Sequence, residues 1–267
     1  MTEAWERWMR GYRVVYEETD ELNENNVADW IGSLANEIKR AHKDWGFVGM
    51  FIFGRQGAGK TTLALTIASR VYDGNWWTAL KYLYFDPADI ERAVKSAIGL
   101  VEAKQESEAR LKTLIWDDAG VWASKYYVRM SGGVKYAMAV QNLVELARRI
   151  TASIIVTATA PDRTLTPFRT QEWYYIRVSG PYKEKGEKTA RATVYRLSVT
   201  PLGKLYVKRV GRNLSFKLHI PQDVYRRYRE LMIQYMRNAP LDFTSILEMH
   251  GKKPKRRNKG KHIDDNN

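Results

Sequence analysis

An open α/β fold, with a mostly parallel sheet flanked by helices and followed by an antiparallel β elaboration and a terminal helix, is predicted by three features of the sequence. Short apolar runs of strand length alternate with amphipathic helical stretches as far as about residue 180. The first of these runs ends directly in a glycine-rich loop, Gly54-Arg55-Gln56-Gly57-Ala58-Gly59-Lys60-Thr61, that opens a helical pattern. After the last core strand the chain changes to successive β-type segments divided by turn residues, before one more amphipathic stretch.

The elements follow in order. Residues 1–25 are acidic and aromatic, with Glu17, Glu18, Asp20, Glu21 and Glu24 close together, and read as an N-terminal extension. Val27, Trp30, Ile31, Leu34 and Ile38 recur at helical spacing, so a helix over 27–43 leads into a first strand over 48–53. A helix opens at Lys60. Residues 82–85 form a short strand, Asp86-Pro87 a turn and 87–104 a helix. The apolar run 113–116 reads as a buried parallel strand, 134–150 as an amphipathic helix, 153–159 as a third core strand and 173–178 as another. Strands over 192–200, 205–210 and 215–220 are separated by turns at Pro201-Leu202-Gly203 and Gly211-Arg212-Asn213, with a hairpin tip at Gly186. The helix over 221–237 carries Val224, Tyr225, Tyr228, Leu231, Met232 and Tyr235 on its apolar side. The chain thus divides into an extension (1–25), a core (26–180), a β-rich extension with its helix (181–240) and a basic tail of disordered composition (241–267).

The loop fills every fixed position of the phosphate-binding pattern G-x-x-x-x-G-K-[ST], and strand, loop and helix are the context that pattern requires, so the core is expected to be a P-loop NTPase fold. Glycines 54, 57 and 59 let the backbone turn tightly and present its N–H groups, which with the helix N-terminus form an anion nest for the α- and β-phosphates. Lys60 is expected to reach the β- and γ-phosphates, Thr61 to ligate Mg²⁺ and Thr62 to bond the α-phosphate. The predicted cofactors are therefore a nucleoside triphosphate, ATP if the resemblance named below holds, and Mg²⁺. Hydrolysis also needs a carboxylate for the metal and a base for the water. A neighbouring strand is expected to supply both at its carboxyl end, Asp117 for the metal and Asp118 to polarise the attacking water. Thr157 and Thr159 share one side of the third core strand at its carboxyl end, and Thr159 is favoured as the group that senses the γ-phosphate. The exit of the first helix, 42–47, is expected to border the adenine.

Composition limits the alternatives. There is no cysteine, which excludes disulfides, zinc-thiolate sites and thiol nucleophiles. No apolar run approaches the roughly 18 residues of a membrane span, and the N-terminus does not resemble a signal peptide, so a cytoplasmic protein is expected. The net charge of +14 points to a polyanionic partner. Residues 252–261 supply seven positive charges and Asp264 and Asp265 return two, leaving about +9 on the rest of the chain. Lys183, Lys185, Lys188, Arg191, Arg196, Lys204, Lys208, Arg209 and Arg212, near Tyr182, Tyr195 and Tyr206, would suit phosphate contacts with some base stacking.

The glycine loop, the Asp117-Asp118 pair and the threonine-tipped strand together resemble P-loop ATPases of the additional-strand type, and within them the AAA+ group that includes the bacterial replication initiator and helicase loader. A closer likeness is to the DnaA-like ATPases encoded by spindle-shaped viruses and plasmids of hyperthermophilic archaea. It is carried by Ala41-His42-Lys43-Asp44-Trp45-Gly46-Phe47, Ile52-Phe53-Gly54-Arg55-Gln56-Gly57 and Trp116-Asp117-Asp118-Ala119-Gly120-Val121-Trp122. It spans roughly residues 30–180. The resemblance implies ATP hydrolysis, a host-cytoplasmic location and work on DNA in replication, helicase loading, segregation or packaging. It also implies a homo-oligomer in which an arginine of one subunit completes its neighbour's site. Arg148, Arg149, Arg163 and Arg169 are the candidates, and Arg169 matches the family's position best. The chain departs from the wider AAA+ pattern, with no compact helical lid after the last core strand and no helix-turn-helix region. An ATP-gated interaction protein with slow turnover is the alternative function. A P-loop kinase is the third, although neither an acceptor pocket nor an arginine-bearing lid is evident.

Overall fold

A computed structural model describes residues 29–102, 110–120, 133–161, 164, 173–184, 186–199 and 205–238. The N-terminal extension, Arg163, Arg169, Val121-Trp122 and the basic tail lie outside the described residues. Among the described residues thirteen elements follow one another: α1 (Trp30–Lys43), β1 (Val48–Gly54), α2 (Lys60–Val71), α3 (Trp76–Lys81), β2 (Leu83–Tyr84), α4 (Pro87–Glu102), β3 (Leu114–Trp116), α5 (Gly133–Ile150), β4 (Ser153–Ala158), β5 (Tyr174–Glu184), β6 (Glu187–Val199), β7 (Leu205–Lys217) and α6 (Gln222–Asn238). The short helix α3, capped by the Asn75 side chain on the Thr78 N–H, was not anticipated from the sequence.

All seven strands form one sheet in the order β2-β3-β4-β1-β5-β6-β7. The pairs from β2 to β5 are parallel, and β5-β6 and β6-β7 are antiparallel. The β-rich extension therefore continues the core sheet. The acid-bearing strand β3 is not next to β1, as anticipated; β4 stands between them, paired with both.

β1 is apolar along its length because both sheet faces are covered. Met50 and Ile52 turn toward α1 and α2, joining Leu34, Ile38, Leu63 and Ile67. Phe51 and Phe53 turn the other way, joining Val94, Val140, Val144 and Trp116. Asp29 caps α1 through the Gly32 N–H at 3.0 Å. Trp30 ties α1 to the extension: its indole N–H donates to the Ser215 carbonyl at 3.1 Å and its ring meets Phe216 edge-on at 6.1 Å.

The turn anticipated at Gly211-Arg212-Asn213 does not reverse the chain. β7 runs through it as a single strand. Three steps along β6, from Ala192 to Tyr195, face five along β7, from Leu214 to Arg209, so the extra residues are absorbed as bulges. Asn213 takes φ +53°, a conformation asparagine tolerates.

Candidate nucleotide site

The candidate site lies where β1, β3 and β4 end, on one edge of the sheet. β1 delivers the glycine loop, and Gly59, at φ +102°, turns the chain into α2. A Cβ on Gly59 would fall 2.3 Å from Leu218 Cδ2, so the segment after β7 lies against the loop. Arg55, Gln56 and Gly57 are exposed, Ala58 is buried, and Gly59 to Thr62 are half-buried. Lys60 Nζ donates to the Gly54 carbonyl at 3.1 Å and the Arg55 carbonyl at 3.0 Å, which lays the ammonium along the loop. Burial pushes the Lys60 amine below its usual range, opposed by the charges of Asp118 and Asp117.

Thr61 stands in the first turn of α2 and its hydroxyl donates to both Asp117 oxygens, at 3.0 Å to Oδ1 and 3.1 Å to Oδ2. This contact joins residues 56 positions apart. Thr157, in β4, bridges the gap: its hydroxyl donates to Asp117 Oδ1 at 2.7 Å and accepts the Asp118 N–H at 2.9 Å. The Ala119 N–H donates to the Thr157 carbonyl at 2.9 Å, so the turn after β3 is pinned to β4. Asp118 is exposed at φ +51°, which swings its carboxylate out of the strand direction. Thr159 lies just past the end of β4, exposed, and a Cβ on Gly120 would lie 4.0 Å from its hydroxyl. Thr157 thus makes the contacts to the acid pair, and Thr159 borders the turn that follows it.

Residues 42–47 do not border this edge. They precede the amino end of β1, about 20 Å from its glycine loop at roughly 3.3 Å per strand residue. There His42 bonds the Arg110 carbonyl at 3.1 Å, and the Arg110 guanidinium lies 4.7 Å from the Trp45 ring centre. A loop entering a parallel strand and a loop leaving it stand on opposite edges of the sheet.

One residue of the site was read from the sequence only as part of an apolar helix side. The Tyr228 hydroxyl, on α6, donates to Asp117 Oδ2 at 3.0 Å across 111 residues of chain. Burial, and then the nearby Asp117 charge, push its phenol above the usual range, so it stands as a donor. Nothing local marks this tyrosine, because its partner is supplied only when α6 folds back over the sheet edge.

Asp117 is fully buried, and burial pushes its carboxyl above the usual range against hydrogen bonds from Thr157, Thr61 and Tyr228. The folded state therefore binds its proton more tightly than the unfolded chain does, and holding the group ionised at neutral pH costs stability. Asp117→Asn is spared that cost, although its amide leaves one acceptor oxygen for three hydroxyls, so its melting temperature is expected to gain on the wild type's as the pH rises toward 7 in metal-free buffer, by about 2–4 °C for each kcal/mol of the cost. The gain should shrink as pH falls through the folded-state pKa and vanish below the unfolded value of about 4. Thermal unfolding of both proteins between pH 4 and 8 measures it.

Among the described residues no group of three or more His, Cys, Asp or Glu side chains is placed to hold a metal. Thr61 and Asp117 offer hard oxygen ligands of the kind Mg²⁺ takes, and phosphate oxygens and water would have to complete its six. Of the basic positions expected to meet polyanions, Arg191 pairs with Glu184 at 2.9 Å, and Lys217, further along β7, pairs with Glu187. Among the described residues no helix is long and apolar enough to cross a membrane.

No known family model matches the sequence. The chain is similar to the uncharacterized protein B-251 of Sulfolobus spindle-shape virus 1, 26% identical over 242 residues that cover 86% of this chain and 90% of the viral one. It is also similar to the uncharacterized protein ORF286 of Acidianus two-tailed virus, 27% identical over 222 residues that cover 82% of this chain and 66% of that protein.

Proposed function

We propose that the chain is a Mg²⁺-dependent ATPase of the P-loop type that acts on DNA, serving a virus or plasmid in the cytoplasm of its host. The observation that carries the nucleotide part is the bond from Thr61, at the head of α2, to Asp117, at the end of a strand two places away in the sheet. It unites the two motifs that P-loop hydrolysis needs. The interposed strand β4 agrees with the additional-strand resemblance.

In this reading the loop N–H groups and the head of α2 cradle the α- and β-phosphates, and Lys60 leaves its carbonyl partners for the β- and γ-phosphates. Thr61 and Asp117 would hold Mg²⁺, which supplies neutralisation of charge between the β- and γ-phosphates. Asp118 accepts a proton from water as the water oxygen bonds to the γ-phosphorus and the bond to the bridging oxygen breaks, leaving ADP and phosphate. Thr159, beside Gly120, would sense a γ-phosphate oxygen through its exposed hydroxyl.

The DNA part rests on the net charge of +14, and the viral relatives bear on the viral setting alone. Mg²⁺-dependent ATP turnover is expected to rise several-fold with single- or double-stranded DNA, and removal of Lys252 onward to flatten the salt dependence of DNA binding. Turnover indifferent to DNA, together with no salt-sensitive binding, would sink the DNA part. The alternative, an ATP-gated assembly protein with slow turnover, is favoured by one feature: both Asp117 oxygens already accept from hydroxyls of its own chain, three in all.

A further inference from the structure

We propose that α6 is a cap on the candidate site that Mg²⁺-nucleotide must displace, and that Tyr228 is the group that closes it; this rests on the reading of Thr61 and Asp117 as metal ligands. A carboxylate offers about four lone-pair positions. At Asp117 three hydroxyls, each with one proton, engage both oxygens: Thr157 at 2.7 Å on Oδ1, Tyr228 at 3.0 Å on Oδ2, and Thr61 shared between the two at 3.0 and 3.1 Å. A metal ion, or a water bound to it, reaches this carboxylate only when a donor leaves.

The three donors differ in what holds them. Thr157 lies inside β4, which pairs with strands on both sides. Thr61 sits in the first turn of α2 and is itself the second expected ligand. Tyr228 alone belongs neither to a sheet strand nor to the expected ligands, and it is carried by α6, the last described helix. Its hydroxyl shares Asp117 Oδ2 with the Thr61 hydroxyl, so it sits beside both groups expected to hold the metal.

The placement is built by packing. The Tyr228 and Tyr235 rings lie 6.0 and 5.1 Å from Phe85, which follows β2, and Val224 is buried at the start of the helix. Leu218, in the lead-in to α6, rests on Gly59. Beyond Val224 the grip is lighter: Leu231, Met232 and Tyr235 are half-buried, and Tyr225, Ile233 and Met236 are exposed. Withdrawing α6 from the site gives up less apolar burial than withdrawing a core helix would. Because α6 leads toward the basic tail, its release would carry the nucleotide state to the C-terminal end of the chain.

Amide hydrogen exchange over 222–238, and calorimetric binding of the non-hydrolysable analogue AMP-PNP, test this on the full chain. With Mg²⁺ present, AMP-PNP is expected to speed exchange in α6 by severalfold in the wild type. Tyr228→Phe, which keeps the ring on Phe85, is expected to bind Mg²⁺-AMP-PNP roughly tenfold more tightly, with Mg²⁺-free affinity within about twofold of wild type, because only the metal competes for Asp117. Binding by Tyr228→Phe alone would support the cap still more strongly. Wild-type binding with unchanged α6 exchange and no gain in Tyr228→Phe would overturn the cap and leave the nucleotide site standing. No binding by either protein, both melting normally, would overturn the cap and the nucleotide reading together.

Discussion

Lys60→Ala is expected to weaken Mg²⁺-ATP binding by about 10²-fold or more and to bring turnover below detection, since it removes the ammonium proposed to reach the γ-phosphate. The side chain is not a core element. It is half-buried, and its hydrogen bonds go to two loop carbonyls, Gly54 and Arg55, that water can serve in its absence. Its ammonium is held below its usual range by burial, with Asp118 and Asp117 opposing. Truncation therefore removes a partly desolvated charge at little cost to folding, and the melting temperature should stay within a few degrees of wild type. Calorimetric binding and phosphate release measure the effect. A Lys60→Ala protein that binds and hydrolyses ATP within threefold of wild type would exclude the loop as the site of chemistry.

Asp118→Asn separates binding from hydrolysis. Asp118 is exposed and makes its one described backbone anchor, N–H to Thr157 Oγ1, through the main chain, so the substitution leaves that anchor in place. Asparagine also tolerates φ +51° as well as aspartate does. What disappears is a carboxylate able to take the proton of the attacking water. Turnover is expected to fall by roughly 10²–10³, in keeping with loss of a general base, while the affinity for ATP changes by no more than about threefold. Equal losses in binding and turnover would place Asp118 among the binding groups instead.

The two substitutions test residues that were legible without coordinates, and the reason is local. From Val48 to Val71 the determinants of strand, loop and helix lie within a few residues of one another: an apolar run, glycines that permit the turn, and good helix formers behind them. Asp117 and Asp118 were legible in the same way, as acids ending a short buried run. Where local signals had two meanings, the tertiary pairing chose. Gly211-Arg212-Asn213 carries turn chemistry, and it became a bulge because β6 continues alongside and keeps its hydrogen bonds. Residues 82–85 shrank to the two-residue strand β2, which pairs with the short strand β3 through Leu83 and Tyr84 alone.

The sequence by itself determined the alternation of strands and helices, the phosphate-loop motif and the residue types available for metal and water chemistry. Each of these depends on neighbours a few positions apart. Only the tertiary structure decided that β4 separates the loop strand from the acid strand, that Thr157 rather than Thr159 holds the acid pair, that 42–47 lie at the opposite edge, and that Tyr228 closes on Asp117. Those outcomes depend on sheet order and on where a terminal helix docks. Both are set by burial of apolar faces summed over the whole domain, which leaves no mark on any single stretch of chain.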